Sequence, residues 1–205
     1  MKIEELGGWP SVISAAISLA VGLVAWLGWR TSVGARRDQA AAEERRRHRE
    51  MRPVLEVGLD LRFGDDAGVL IVKLMGPREV ERYDWIRLEV RDDGKNRTPR
   101  GEVTVEAIRK QVWGPFRLRP GTDEADREGR AARQKGLTIT DSCLFTVERS
   151  TPPGWYGGGE VEWRKDYAGK PIRLRIEVGL GERSWVELVE VPTPRPVSRQ
   201  ARFVD

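Results

Sequence analysis

Val54-Leu-Glu-Val-Gly-Leu-Asp-Leu-Arg-Phe63 sets the fold class of this chain. Apolar side chains occupy its odd positions from Leu55 to Phe63, and most of its even positions are polar. A period of two is the pattern of a β-strand with one buried and one solvated face. The turn residues 64–68 follow, and after them comes the apolar run Val69-Leu-Ile-Val-Lys-Leu-Met75, which reads as a buried strand. The two runs predict an antiparallel hairpin.

The rest of this region continues the β pattern. Further strands or extended segments are predicted at 85–90, 113–118, 137–140, 143–148, 171–178 and 184–191. Short strands separated by turns roughly every 8 to 12 residues are typical of an antiparallel β-sandwich. We therefore predict a mainly β domain over residues 53–191, an antiparallel sandwich of immunoglobulin-like architecture, with a partly open barrel as the alternative.

Three segments between these strands are not expected to form strands. Residues 103–112 fit a short helix slightly better than a strand. Trp163 and Tyr167 are four apart, which suits a short helix packing one face on the sheet. The polar interval 119–136 is predicted to be an exposed, mobile loop, and the proline-containing tail 192–205 is predicted to be disordered.

Upstream of the β region lies a long uncharged segment. No charged residue occurs from Leu6 to Trp29, and a helix rising about 1.5 Å per residue over that length would cross a bilayer core of about 30 Å. Trp9 stands at one end of it, and Trp26 and Trp29 stand at the other, where indole rings prefer the headgroup levels. A signal peptide fits less well, because the N-terminus lacks a net positive charge and no cleavage site follows. A transmembrane helix is predicted at 9–29.

The charges beside this segment predict its orientation. Only Lys2 precedes it, whereas Arg30, Arg36, Arg37, Arg45, Arg46 and Arg47 follow. The positive-inside bias therefore places residues 1–8 outside and the C-terminal domain in the cytoplasm, with the lipid bilayer as a partner. Residues 30–52 are rich in helix formers and predict a basic helical stalk, which serves topology or attracts anionic lipid.

Small residues on the predicted membrane helix suggest a contact between two copies. Ser14, Ser18 and Gly22 recur at the four-residue spacing that lets two helices approach closely. Self-association through this face is one interpretation. The other is that small residues are common in membrane helices.

Composition limits the function classes. The chain has a formal net charge of +4, but residues 53–205 are nearly neutral. That balance argues against nucleic acid as a partner. Cys143 is the single cysteine, so no internal disulfide forms, and His48 is the single histidine. No residue set is predicted to be catalytic or to bind a metal or cofactor, because the acidic pairs stand in polar turns and the Gly157-Gly-Gly159 run opens no phosphate-binding helix.

The candidate binding residues are aromatic. Trp113 and Phe116 lie in the Gly- and Pro-containing segment 111–117, and Trp155 and Tyr156 lie in a similar loop, 151–159. Aromatic side chains on loops are frequent anchors for a protein partner. Aromatic side chains beside Pro and Gly also close the open ends of β-sandwiches. The sequence leaves both interpretations open.

Three stretches resemble a known group of proteins. They are Gln111-Val-Trp-Gly-Pro-Phe-Arg117, Pro120-Gly-Thr-Asp123 and Glu148-Arg-Ser-Thr-Pro-Pro-Gly-Trp-Tyr156. They look like stretches of uncharacterised actinobacterial proteins with an N-terminal membrane anchor and a β-rich domain. The resemblance implies a bacterial plasma membrane and carries no activity.

Two functions follow from these expectations. The first is a single-pass membrane protein that presents a cytoplasmic sandwich domain to a protein partner. The second is a membrane-tethered enzyme or small-ligand-binding domain with its site in loops 111–117 and 151–159; the sequence itself points away from an enzyme, since it contains no catalytic motif.

Overall fold

The computed structural model of this chain describes residues 38–61, 66–98 and 101–193. The chain divides into two compact units, residues 1–50 and 51–205. In the first unit, residues 38–50 form a helix, α1, with exposed ion pairs one turn apart. Arg46 Nε lies 2.7 Å from Glu50, and Arg47 lies 3.3 Å from Glu43. The helical prediction for the stalk is thus confirmed over its described part.

Several predictions concern segments outside the described residues. These are the membrane helix at 9–29 with Trp9, Trp26 and Trp29, the contact face at Ser14, Ser18 and Gly22, the basic residues Arg30, Arg36 and Arg37, and the tail from residue 194 onward. Among the helices that the structure does describe, none is long and apolar enough to cross a membrane.

The described part of the second unit is mainly β, as predicted. Its elements are β1 (Val54–Asp60), β2 (Ala67–Gly76), β3 (Arg82–Arg91), α2 (Val105–Lys110), β4 (Phe116–Leu118), β5 (Ala131–Thr138), β6 (Ser142–Arg149), α3 (Gly159–Tyr167), β7 (Ile172–Leu180) and β8 (Arg183–Val191). They form two antiparallel sheets, ordered β1-β2-β6-β4 and β5-β3-β7-β8. The helices α2 and α3 lie in the connections between strands.

The burial of the first hairpin agrees with the prediction for β1 and only in part with that for β2. In β1, Leu55, Val57 and Leu59 are partly buried against the core. In β2, the even positions Leu70, Val72 and Leu74 are at most 2% exposed, whereas Met75 is 58% exposed. The prediction that β2 is buried is therefore right for one face only, because no layer of the described residues covers the other.

The two sheets share one hydrophobic core. Leu70 and Phe145 from the first sheet and Leu88 and Ile176 from the second are all fully buried and belong to a single cluster. Apolar faces of two sheets meeting in this way remove a continuous apolar surface from water, which is the main stabilising term in such a fold.

Both predicted short helices are present. The α2 helix is capped by Thr104, whose Oγ1 accepts a hydrogen bond from the backbone N–H of Ala107 at 3.1 Å. On α3, Trp163 and Tyr167 are the buried residues and lie on one face, as their spacing predicts.

The prediction of a loop throughout 119–136 is wrong in its last third. Residues from Ala131 onward form β5, an edge strand that pairs with β3. Only Ala132 and Leu137 of β5 are buried, so its sequence carries little apolar periodicity. The pairing depends on backbone hydrogen bonds, which a side-chain pattern does not record. The preceding turn is held by Asp123, whose carboxylate accepts the Thr146 N–H at 2.6 Å.

Candidate functional site

A second hydrophobic cluster, separate from the main core, contains the aromatic side chains. Trp113, Trp163 and Tyr167 are each less than 5% exposed, and Ile108 and Tyr156 pack against them. The ring centroids of Trp163 lie 5.4 Å from Trp113 and 4.8 Å from Tyr167. We call these five residues the aromatic cluster. Ring pairs at such distances stabilise a fold beyond the area that they bury.

The four predicted binding residues take different positions. Trp113 lies in the aromatic cluster, and Phe116 lies in the main core at 2% exposure. Tyr156 is half-buried, with its ring edge-to-face with Trp163 at 5.1 Å. Trp155 is 40% exposed, and its centroid is 5.7 Å from that of Trp113. The structure thus brings the two predicted loops together, but it leaves only Trp155 well exposed.

The buried indoles have hydrogen-bond partners, which fixes their orientation. Trp113 Nε1 donates to the Ile108 carbonyl at 2.9 Å. Trp163 Nε1 donates to Ser150 Oγ at 3.0 Å, and that hydroxyl donates in turn to the Gly114 carbonyl. Because a buried N–H without a partner is costly, these bonds determine which rotamer each indole adopts.

A network of polar side chains adjoins the aromatic cluster at Tyr167 and Trp113. The guanidinium of Arg97 donates two hydrogen bonds of 2.8 Å to the carboxylate of Asp93, one to each oxygen. Tyr167 Oη donates to Asp93 Oδ2 at 3.0 Å and accepts from Arg97 at 3.1 Å. These three side chains form a closed network in which each polar group has a partner.

This network shifts two pKa values. Burial would raise the pKa of the Asp93 carboxyl, but the hydrogen bonds from Arg97, the Lys95 N–H and Tyr167 outweigh burial and lower the pKa to about 2. Burial, followed by the charge of Asp93, raises the pKa of the Tyr167 phenol well above its usual range. At neutral pH, Asp93 is therefore ionised and Tyr167 keeps its proton.

Beside the network lies a cavity of about 230 Å³. Three chain segments meet around it: the end of β3 with the loop after it, the residues before β4, and the connection from α3 to β7. Its walls are made by Val90, Arg91, Asp93, Lys95, Trp113, Gly114, Pro115, Tyr167, Lys170, Pro171 and Arg173. We call this space the Trp113 cavity.

Backbone contacts hold the three segments in place. The Asp93 N–H donates to the Trp113 carbonyl at 2.9 Å, and the Trp113 N–H donates to Asp92 Oδ1 at 3.0 Å. Arg173 donates to the Asp93 carbonyl at 2.7 Å. The walls of the cavity are thus fixed by the fold itself.

The sequence indicated only part of this site. It pointed to Trp113, and it placed Tyr167 correctly on a helix face. It interpreted Asp93 as a turn residue and did not single out Lys95, Lys170 or Arg173. The one local signal was an acidic pair directly after a predicted strand, and that signal is shared by many ordinary turns.

Cys143 lies away from this site. Its thiol is buried and donates to the Gly136 carbonyl at 3.4 Å, and burial raises its pKa. The side chain belongs to the main hydrophobic core. In the part of the chain that the structure describes, no group of three or more His, Cys, Asp or Glu side chains is placed to hold a metal ion.

Comparison with known proteins identifies no relative of this chain. No protein-family model, no curated protein and no solved structure matches the chain. Nothing in these comparisons bears on the resemblance to actinobacterial membrane-anchored proteins, and the function has to be inferred from the site.

Proposed function

We propose that this protein is a ligand-binding domain tethered to a bacterial plasma membrane, and that a small molecule occupies the Trp113 cavity. The observation that carries the proposal is the cavity of about 230 Å³, in which two aromatic rings and several polar groups converge. A concave site with apolar walls and a few placed polar groups is the usual form of a small-molecule site.

Binding suits this site better than acid–base catalysis. A catalytic acid or base works best with a pKa near the working pH. The lowered pKa of Asp93 and the raised pKa of Tyr167 move both groups away from neutrality. The Asp93 carboxylate is also occupied by the fork of Arg97. Asp93 and Tyr167 therefore stabilise the structure of the site and are poorly suited to proton transfer.

A substitution that fills the cavity tests the proposal. Gly114 lines the cavity and is buried, and a Cβ built on it meets no atom closer than 4.0 Å. Leucine at this position therefore enters the open volume. We expect small molecules that raise the melting temperature of the full chain to lose that effect in Gly114→Leu.

Gly154→Leu is the matched control, because Gly154 is exposed and a Cβ there meets open space. It should bind ligands as the natural chain does. A ligand that stabilises Gly114→Leu as strongly as the natural chain would place the binding site elsewhere.

The membrane part of the proposal rests on the sequence. It comprises a span at 9–29, an extracytoplasmic N-terminus at 1–8, and residues 53–205 in the cytoplasm, with the bilayer as a partner and Ser14, Ser18 and Gly22 as a contact between copies. An impermeant thiol reagent tests the orientation on a variant with a cysteine added after residue 193. Labelling in broken but not in intact cells is expected, and labelling of intact cells would reverse the orientation.

An immunoglobulin-like architecture is part of this proposal. The sheets β1-β2-β6-β4 and β5-β3-β7-β8 correspond to strands A-B-E-D and C′-C-F-G of that fold. The chain departs from it in one respect. It forms β4, in the D position, before β5, in the C′ position.

A protein-interaction module is the second candidate function. It is favoured by the outer face of the first sheet, where Ile71 on β2 lies opposite Leu144 on β6, which is 50% exposed. Val69 and the exposed Met75 continue this face along β2. Crosslinking in the native membrane tests it. Capture of a defined partner through this face, lost in Leu144→Lys, would support it.

A further inference from the structure

The charge on the walls of the Trp113 cavity restricts what it can bind. Four cationic side chains line it, and they belong to Arg91, Lys95, Lys170 and Arg173. One carboxylate lines it, that of Asp93. A partly enclosed space of this kind carries a positive potential, because low-dielectric walls screen the charges less than water does.

The single carboxylate does not offset this potential. Both of its oxygens accept hydrogen bonds from Arg97. The central carbon of that guanidinium also lies over the Trp113 ring, 3.7 Å from its centroid. Asp93 and Arg97 therefore neutralise each other, and the four lining cations remain.

The cations themselves are largely without acidic partners. Arg173 shares an ion pair of 3.1 Å with Glu190. Within the described residues, no carboxylate pairs with Arg91, Lys95 or Lys170. Lys170 Nζ instead lies 5.1 Å from the centroid of the Tyr167 ring. A cation held on an aromatic face keeps its charge available to a second group.

The sheet register adds an independent argument. Arg91 on β3 lies directly opposite Arg173 on β7. Like charges on opposite positions of neighbouring strands repel and destabilise the pair. An anion bound between them and the two lysines would offset that repulsion.

The remaining wall is apolar. Val90, Pro115 and Pro171 line the cavity, together with the rings of Trp113 and Tyr167. An inorganic ion would leave this surface unused. Val90, Trp113 and Tyr167 are at most 4% exposed, so a ligand with an apolar or aromatic body would gain mainly close van der Waals contact with this wall.

From these contacts we infer that the ligand of the Trp113 cavity is a small organic anion, with a carboxylate or phosphate group held by Lys95, Lys170 and Arg91 and an apolar body against Trp113 and the prolines. The inference rests on the proposed function and narrows its ligand class. Charge-assisted hydrogen bonds from lysine and arginine are the ordinary means of holding such groups.

Three probes of one shape and different charge test the inference. They are benzoate, benzamide and benzamidinium, and phenyl phosphate serves as a second anion. The indole N–H resonance of Trp113 in the ¹⁵N-labelled full chain reports binding. Benzoate or phenyl phosphate should bind about tenfold more tightly than benzamide, benzamidinium should not bind, and added salt should weaken the anions.

Two lysine variants test which side chains bind the anionic group of the ligand. Lys170→Gln and Lys95→Gln should each weaken the binding of the anion by about tenfold without changing that of benzamide. Lys73→Gln is the control, because Lys73 is exposed on the outer face of β2 and does not line the cavity. It should bind the anion as the natural chain does.

The outcomes separate the inference from the proposed function. If benzamide or benzamidinium binds at Trp113 as tightly as benzoate, the anion assignment is overturned and the cavity remains a ligand site. Anion binding that is unchanged in both lysine variants also overturns the assignment. If no probe shifts the Trp113 resonance, the assignment fails, and the comparison with Gly114→Leu then decides whether the cavity binds any ligand.

Discussion

The guanidinium of Arg97 lies over the indole ring of Trp113, with its central carbon 3.7 Å from the ring centroid. The same guanidinium binds Asp93 through two hydrogen bonds of 2.8 Å. One side chain thus joins the loop after β3 to the aromatic cluster and forms part of the frame of the cavity. A fork of two parallel donors on a cation over an aromatic ring is specific to arginine, and lysine does not reproduce it.

Removing this side chain should destabilise the fold. We expect Arg97→Ala to lower the free energy of unfolding by about 2–3 kcal/mol, because the largely buried Asp93 carboxylate loses its main partner. Arg97→Lys should fall between Arg97→Ala and the natural chain. Urea unfolding followed by circular dichroism measures the change. Arg78→Ala, at an exposed turn position, is the control and should change it by less than about 0.5 kcal/mol. Equal effects of the two alanine variants would show that the Arg97 contacts contribute nothing.

Asp93 should make the free energy of unfolding depend on pH in the acid range. Its pKa is about 2 in the folded protein and about 4 when unfolded. Because the folded value is the lower one, the stabilisation is fully present above about pH 4 and is lost as the pH falls towards 2. After allowance for solvent screening, it amounts to about 1–2 kcal/mol.

Asp93→Asn removes the titrating group and tests this expectation. Between pH 6 and pH 2.5, the free energy of unfolding should fall by about 1–2 kcal/mol less in the variant than in the natural chain. Urea unfolding at the two pH values measures the difference. Identical falls would mean that the pKa of Asp93 is the same in both states.

Ser150 links the aromatic cluster to the backbone before β4. It is 3% exposed, and its hydroxyl accepts from Trp163 and donates to the Gly114 carbonyl. Ser150→Ala leaves a buried indole N–H and a buried carbonyl without this partner, so a loss of about 2 kcal/mol is expected in thermal or urea unfolding. Ser184→Ala, at an exposed strand position, should change stability little. A similarly small effect at Ser150 would indicate that another group replaces the hydroxyl.

Two strand glycines should respond in opposite ways to the same substitution. A Cβ on Gly179 would overlap the indole ring of Trp85, which is also in contact with the guanidinium of Arg133 at 4.4 Å. Gly179→Ala should therefore displace the ring and cost about 1–2 kcal/mol. A Cβ on Gly58 meets open space, so Gly58→Ala should be neutral or stabilise by up to about 1 kcal/mol. The Trp85 indole resonance and urea unfolding check both. Equal costs at both positions would show that Trp85 moves aside freely.

Much of the strand pattern could be predicted because it is local. The alternation in β1, the strands β7 and β8, and the short helices α2 and α3 all follow from side-chain patterns within about ten residues. The edge strand β5 was missed for the complementary reason. It buries only Ala132 and Leu137, and its pairing with β3 depends on backbone groups that every residue carries.

The candidate site likewise has a part that the sequence predicts and a part that only the folded structure shows. The sequence by itself determined that the domain is mainly β, that Trp163 and Tyr167 share a helix face, and that an uncharged segment with a basic flank precedes the domain. Only the tertiary structure decided that Trp113 is buried, that Asp93 and Arg97 cover it, and that Lys95, Lys170 and Arg173 surround one cavity. The reason is physical. Periodicity records how a residue lies relative to its neighbours along the chain, whereas the cavity exists where three segments distant in sequence are brought together by the packing of two sheets.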